Sequence, residues 1–531
     1  MENTTFTQSN YIDNYNALQL SLPIDLGLKI EPNDEVVSFL KALEGVNLKK
    51  FLVRKERRGR KGYDNVRLLK VILFARMNNV SETRKIADLC KHDIRFMYMM
   101  EEEKPSHMTF ERLLVNYLQC DIDEIFFELT NKITNELAVD KTIQYIDGTK
   151  IEANANKYSF VYKTRILNTR KRLFSKITNA IITFNMEKGF NFPYQNVYCA
   201  QEIGYIAQYI MELMVKENIN VVYGKGKRKH EIQRWYDLFL EYALKLDEYE
   251  YWLNIIGKDR NSCSKTDQDA TMCATKMDYY CNTGLSRPCY NAQIAVSEGI
   301  ITNADLFQKP ADTKTFIPFI ERYFEYNQEY PKYPMADAGY GSYDNYMFCL
   351  EKGMELVMKY PMYAKKNEPK FKKKLFNPMN WENNEEGYKV CPNGNVFNQY
   401  LNDKIDESGK YPRIVQRLTS SKECQDCPNK RECCKSRTGK RTISRDVVLN
   451  EFYQIVDDNL STEEGKELKK QRSIQVEGAF GVIKENMKFT KFTRRGLRNA
   501  KMEFLLVCIG YNLKKYHQYR LKKQKTVKVF H

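Results

Sequence analysis

The segments of this chain that read as β-strands are few and far apart, and that spacing limits the fold more than any other feature. Thr142–Ile146 (TIQYI) is rich in β-formers and runs into Asp147-Gly148, a pair that favours a tight turn. Strand patterning returns only at Tyr290–Val296 (YNAQIAV) and Ile300–Phe307. A helix-like stretch, Thr313–Tyr326, comes next, and then Tyr333–Asp337 (YPMAD). Tyr343–Lys352 reads as helix again, and Met354–Lys359 (MELVMK) as another strand. Strands this sparse close one sheet only if the intervening residues are set aside as insertions. Residues 158–257 read as mostly helical, with basic bursts at Lys163–Arg172 and Lys225–Lys229. Residues 361–450 hold many Asn and Pro, the run Lys370–Lys374 and a cluster of cysteines. Ser461–Lys488 and Met502–Lys515 then read as helices. The expected architecture is one mixed α/β domain, interrupted twice.

The N-terminal part has another texture. Val66–Met77 (VRLLKVILFARM) is strongly apolar, Ser81 and Glu82 open a second amphipathic segment, and a third follows Ser106. Short helices with basic residues between them resemble a helix-turn-helix bundle, so residues 1–135 are expected to form an all-α domain. The catalytic-core expectation then covers 136–360 and 451–515, with insertions at 158–257 and 361–450 and a basic tail at 516–531. Hydrophobic residues make up 42% of the 531, enough for packed cores and too many for wholesale disorder. No apolar run approaches the ~18–20 residues of a membrane helix. Met1–Asn10 has neither a basic start nor an apolar stretch. The chain is therefore expected to work in the cytoplasm, with no membrane partner.

Charge points to a polyanion. Lys and Arg number 85 against 68 Asp and Glu, a formal +17. Residues 484–531 hold 14 of the cations and 2 of the acids, and Lys49–Lys61 carries eight cations and one Glu. Clustered cations suit nucleic acid, because each neutralised phosphate releases condensed counterions; a solvated, solubilising surface is the plainer explanation.

Three carboxylates stand out by position. Asp147 and Asp337 end strand-like segments, and Glu477 lies within the late helix, in Val476-Glu477-Gly478-Ala479-Phe480. Singly, each has a dull explanation as a turn, a loop start or a solvated helical face. Together they differ, because acids at strand ends converge where parallel strands finish, and a helical Glu across that edge completes a set of hard oxygen ligands. Mg²⁺ favours such donors, and two ions ~3.5–4 Å apart hold both oxygens of an in-line phosphoryl displacement.

These blocks resemble a known family: the bacterial insertion-sequence transposases of the DDE type, and within them the insertion-sequence eleven-eighty-two group. The resemblance runs through YDNVRLLKVILFARM, SETRKIADLCKHDIRFMYMM, IQYIDGTKIEANANKYSF, TDQDATM, YNAQIAV, MADAGYGSYDN and RSIQVEGAFGVIKENMKFTKFTRRGLRNAKMEFLLVCIGYNLKK, in that order. It implies a ribonuclease-H-like core with Asp147, Asp337 and Glu477 as catalytic, metal-binding acids. Asp147 would bridge two Mg²⁺ or Mn²⁺ ions, and Asp337 and Glu477 would hold one each. The implied activity is DNA cleavage at the element's ends, followed by strand transfer to target DNA. Terminal inverted repeats and target duplex would be the partners, a homodimer would assemble on DNA, and the location would be the nucleoid. The alternative is a catalytically silent, domesticated relative that binds DNA. Wider DDE relatives carry Tyr-x2-Arg-x3-Glu-x6-Lys around the last acid. Here Glu477-x6-Lys484 fits, Lys470 holds the Tyr position, and Ser473 the Arg position, with Arg472 one residue early. Arg472 and Lys484 are candidates for gripping phosphates near the cleaved bond.

Four further features complete the reading. Cys391, Cys424, Cys427 and Cys433 (or Cys434) have the spacing of a zinc knuckle, or are reduced thiols without metal. Phe489–Arg498 (FTKFTRRGLR) interleaves aromatics with Lys491, Arg494, Arg495 and Arg498, a pattern suited to DNA contact or to a packed helix end. Thr266–Ala270 (TDQDA) reads as a capped turn, and Asp312 as a helix N-cap. No phosphate-cradling Gly-rich loop stands between a strand and a helix, so ATP use is not expected.

Overall fold

The computed structural model describes residues 30–52, 62–224, 226–274, 285–420, 424, 427–436 and 439–529. Most of the basic knot at 49–61 lies outside the described residues, as do Lys225 and the end of the tail.

The chain is a mixed α/β protein built on a five-stranded mixed sheet. The strands are β1 (Ile143–Glu152), β2 (Thr271–Ala274), β3 (Ser286–Ser297), β4 (Ile300–Phe307) and β5 (Tyr333–Met335). β1 is central. It pairs antiparallel with β3, from Tyr145 opposite Val296 to Glu152 opposite Cys289, and parallel with β5, where Tyr145 faces Met335. The far edge of β3 is shared, because β4 pairs with its later half and β2 with its start. Glu298 and Gly299 close the β3–β4 hairpin with φ of 46° and 80°, and Ser297 pairs with Ile300 across them. Two positive φ values in a two-residue loop match the right-handed twist of the strands they join.

Two details depart from the sequence reading. Asp147-Gly148 is not a turn: β1 runs through it to Glu152. Gly148 lies opposite Gln293, and a Cβ there would stand 2.1 Å from Gln293 Nε2, so the glycine answers to a neighbour's side chain rather than to a bend. Met354–Lys359 forms no strand. Met354, Leu356, Val357 and Met358 are buried, and Glu355 N donates to Lys332 O at 2.9 Å. Burial accounts for its apolar composition without a ladder.

Helices cover the sheet from both ends of the chain. α1 (Asn65–Met77) is capped by Asp64, whose carboxylate accepts from Val66 N at 2.7 Å, and it is buried over most of its length. α2 (Gln119–Leu137) leads into β1. The late helix begins as α3 (Glu463–Arg472) and runs on through Glu477 to Asn486, and a separate helix, Val447–Ser461, precedes it. The last one, α4 (Leu497–Val529), is longer than the pattern suggests. α3 has Glu463 and Glu464 in its first turn and Lys469, Lys470 and Arg472 in its last, charges that complement the helix dipole. α4 packs on α1, α2 and β4. Buried residues of the N-terminal helices, the sheet and α4 belong to one continuous core.

Both insertions have cores of their own. Helices Lys163–Lys188, Ala200–Lys216 and Glu231–Ile256 bury Ile177, Ile181, Phe184, Ile203, Ile210, Phe239 and Leu246 among themselves. The second insertion carries a three-stranded antiparallel sheet, Gln399–Asp406, Arg413–Thr419 and Thr442–Arg445, over Trp381, Phe397, Leu418 and Ile443. Among the described residues no helix is long and apolar enough to cross a membrane.

Candidate catalytic site

Asp147 sits in the middle of β1, and Asp337 stands two residues beyond the end of β5, its parallel neighbour. The Asp337 turn is self-closed: Gly339 N donates to Asp337 Oδ1 at 2.7 Å, and Tyr340 N to Asp337 O at 3.2 Å. The two carboxylates meet through one cation. Arg472 Nη2 lies 3.2 Å from Asp147 Oδ1 and 3.7 Å from Asp337 Oδ2, and Arg472 Nε donates to Ile146 O at 3.4 Å. Burial pushes the Asp147 carboxyl above the ordinary carboxylate range; Arg472 opposes that shift, and the charge of Asp337 adds to it.

Glu477 follows five residues after Arg472 on the same run of helix. It is exposed, and among the described residues its side chain makes no hydrogen bond or ion pair. The chain between them, Ser473–Glu477, is a π-helical turn, and a second occupies Val482–Asn486. A π turn spends one extra residue, so positions i and i+5 stand nearly as i and i+4 do in an α-helix. The one-residue displacement of Arg472 from the Tyr-Arg-Glu-Lys spacing is thereby absorbed. Further along, Lys484 Nζ donates to Thr149 Oγ1, on the same face of β1 as Asp147.

The cations of 489–498 divide. Lys491 pairs with Glu152 at 3.5 Å, and Arg494 ties the loop to the N-terminal helices through Glu111 at 2.6 Å. Arg495 Nε donates to Asn154 O at 3.0 Å, and Arg498 is exposed. The TDQDA segment finds its role here. Asp267 accepts from Gly496 N at 3.2 Å and from the Tyr290 hydroxyl at 2.9 Å, and Asp269 accepts from Leu497 N at 2.9 Å. Two acids remote in sequence thus satisfy the open N–H groups at the start of α4. Asp269→Ala is expected to cost about 1 kcal/mol of stability, read as a lower denaturation midpoint.

Asp312 does not cap a helix. Its Oδ1 accepts from Lys150 Nζ at 2.9 Å, Asn291 Nδ2 at 2.7 Å and Gln293 Nε2 at 3.0 Å. Sequence reading missed this group because its partners come from β1 and β3, more than a helix length away in the chain.

The thiols of the second insertion are engaged with different partners. Cys424 is buried beside Cys434, Arg441 donates to Cys433, Asn395 N to Cys391 Sγ at 3.4 Å, and Asn393 Nδ2 to Cys427 Sγ at 3.6 Å. Among the described residues no group of three or more His, Cys, Asp or Glu is arranged to hold a metal ion. Cys433 and Cys434 are both neighbours of Cys424, and Cys391 and Cys433 pack against the same small core, so part of the cluster does come together. The same holds of the three acids: Asp147 and Asp337 come together on Arg472, and Glu477 is left exposed on its helix without joining them.

Comparison with known families supplies the context. Residues 390–517 match the transposase DDE domain, and residues 26–115 match a second transposase domain. The first match contains Arg472, Glu477 and Lys484; Asp147 and Asp337 lie outside both. No curated protein and no solved structure matches the chain.

Proposed function

Because its two matched domains mark the chain as an insertion-sequence DDE transposase, we propose that it cuts DNA at the ends of its element and joins the freed strand to target DNA. The carrying observation is the meeting of Asp147 and Asp337 on one cation at 3.2 and 3.7 Å, beside the helix that bears Glu477. The strand arrangement supports a ribonuclease-H-like core: three antiparallel strands, β1, β3 and β4, with β5 added parallel to the first.

The residues fit a divalent metal. Two carboxylates, one on β1 and one in the turn after β5, hold a guanidinium between them, and Mg²⁺ or Mn²⁺ takes oxygen donors of this kind. Asp147 and Asp337 would hold the metal, and Glu477 would join them by turning inward from the helix. When bound, the metal would make water a stronger nucleophile and offset charge at the scissile phosphate. The chain's residues do the rest. Water adds in line to the phosphorus at the element's end, the bond to the 3′-oxygen breaks, and that oxygen leaves as a 3′-hydroxyl. The hydroxyl then adds to a target phosphorus and displaces the target's own 3′-oxygen. Arg472, released from the acids, and Lys484 would hold phosphate oxygens on either side of Glu477. The exposed Lys491, Arg495 and Arg498 extend the cationic track away from the acids, with Arg494 holding their loop to the N-terminal helices. Inverted repeats bound by the N-terminal helices, and a pair of subunits on paired ends, complete the reading.

Purified protein mixed with duplex carrying the element's end should nick it in Mg²⁺ or Mn²⁺ and leave a 3′-hydroxyl. Glu477→Gln should lower that rate by about a hundredfold or more while DNA binding persists. Cleavage by Glu477→Gln at the wild-type rate would remove Glu477 from the site.

A further inference from the structure

The ladder between β1 and β5 covers only Ile143–Tyr145 and Tyr333–Met335, so it ends before either acid. Something else must hold the Asp337 turn against Asp147. Arg472 does so from the helix side. On the opposite face of the sheet lies a buried polar layer that no packing need explains.

Gln293 and Asn291 on β3 are 0% and 1% exposed, and Tyr340, three residues after Asp337, is 1% exposed. The Tyr340 hydroxyl donates to Gln293 Oε1. Gln293 Nε2 in turn donates to Asp312 Oδ1 and to Asn291 Oδ1, both at 3.0 Å. Asn291 and Lys150 donate to the same Asp312 oxygen. Asn345 Nδ2 ties the layer together from below, donating to Tyr340 O at 2.6 Å and to Thr313 O at 3.1 Å. Asp312 lies between the two acid-bearing segments. A Cβ on Gly148 would stand 3.0 Å from its Oδ1, and a Cβ on Gly339 would stand 3.6 Å from its Oδ2. The glycine after Asp147 and the second glycine-side neighbour of Asp337 both leave room for this layer. Burying four polar side chains, Gln293, Asn291, Tyr340 and Asn345, costs free energy unless they are paired, and apolar residues would fill the space at less risk. Such layers are kept where one geometry must be specified.

We propose that Asp312 is a positioning residue which, through Gln293 and Tyr340, sets the separation of Asp147 and Asp337. The inference rests on the reading of those two acids as the reacting centre. Three donors converge on Oδ1, so Asp312 is locked in place; Gln293 spans from it to the Tyr340 hydroxyl, and Tyr340 carries the Asp337 turn. Shortening or loosening that chain lets Asp337 drift from β1 without unfolding the sheet.

The test is Mn²⁺ binding to the full, DNA-free chain by electron paramagnetic resonance, with kcat and KM for end cleavage measured alongside. Asp312→Asn and Tyr340→Phe are each expected to weaken Mn²⁺ binding by about tenfold, and to lower kcat with KM for DNA unchanged. Asp147→Asn is the control and should lose Mn²⁺ binding. Loss in the control, with wild-type binding and kcat in both layer variants, overturns the positioning role alone. Wild-type binding in Asp147→Asn overturns the reading of the acids and the positioning role with it. If Asp312→Asn does not fold, Tyr340→Phe carries the test, since it removes one hydroxyl and no volume of consequence.

Discussion

Asp147→Asn should abolish end cleavage, with a loss on the order of a thousandfold or more, about 4 kcal/mol of transition-state stabilisation. Asparagine keeps the volume and one oxygen but surrenders the charge shared with Asp337. A single-turnover assay with Mg²⁺ on a labelled element end reads the effect directly; cleavage within tenfold of wild type would exclude Asp147 from the chemistry. The same substitution should leave the fold intact or firmer. Burial, opposed by Arg472 and reinforced by Asp337, holds the Asp147 carboxyl above its ordinary range. A carboxyl with a raised folded-state pKa contributes stability below its unfolded pKa and loses it as pH rises above that value. At neutral pH the ionised group is therefore a cost, and removing it relieves the cost. A thermal midpoint equal to or above wild type, with activity gone, is the expected pairing, and it is the usual mark of a group retained for function.

Gly510→Val should be the most damaging single change away from the site. Gly510 lies in α4 where that helix crosses α1, and a Cβ there would stand 2.6 Å from Arg76 O and 3.1 Å from Met77 N. Those are backbone atoms of a buried helix and cannot turn aside. The helices must separate, which strips contacts from Leu73, Phe74 and Met77 on one side and from Leu506, Val507 and Leu513 on the other. A loss of about 3 kcal/mol or more follows from overpacking of this kind. Urea unfolding and soluble yield would both report it, and a midpoint within error of wild type would show that α4 and α1 do not need this contact.

The two acids that meet on Arg472 could be picked out of the chain because each has a local signal. Asp147 and Asp337 follow apolar strand segments, and the β3–β4 connection falls between two such segments. What escaped reading depends on partners distant in sequence. Asp-Gly usually marks a turn, yet Gly148 is in mid-strand because Gln293, opposite it, needs the space. Asp312 resembles an N-cap, and only the fold brings Lys150, Asn291 and Gln293 to it. Asp267 and Asp269 form the local turn their sequence suggests, with Ala270 N donating to Asp267 O at 3.0 Å, and their carboxylates also close the end of a helix that begins more than two hundred residues later. The displaced Arg472 had a readable signal of another kind. A spacing longer by one residue within a helix is what a π turn produces, and helix patterning alone does not count it.

The shared core has a consequence for damaged gene copies. Because α1 and α2 bury their apolar faces partly against α4, a stop codon anywhere before residue 497 removes the cover from those early helices, even where the helix bearing Glu477 is still made. The shortened product would expose Phe74 and its neighbours to water and invite aggregation or proteolysis. Such a product could not linger as a soluble competitor for the element's ends, so loss of the last reading frame segment silences a copy without turning it into a repressor of its intact siblings.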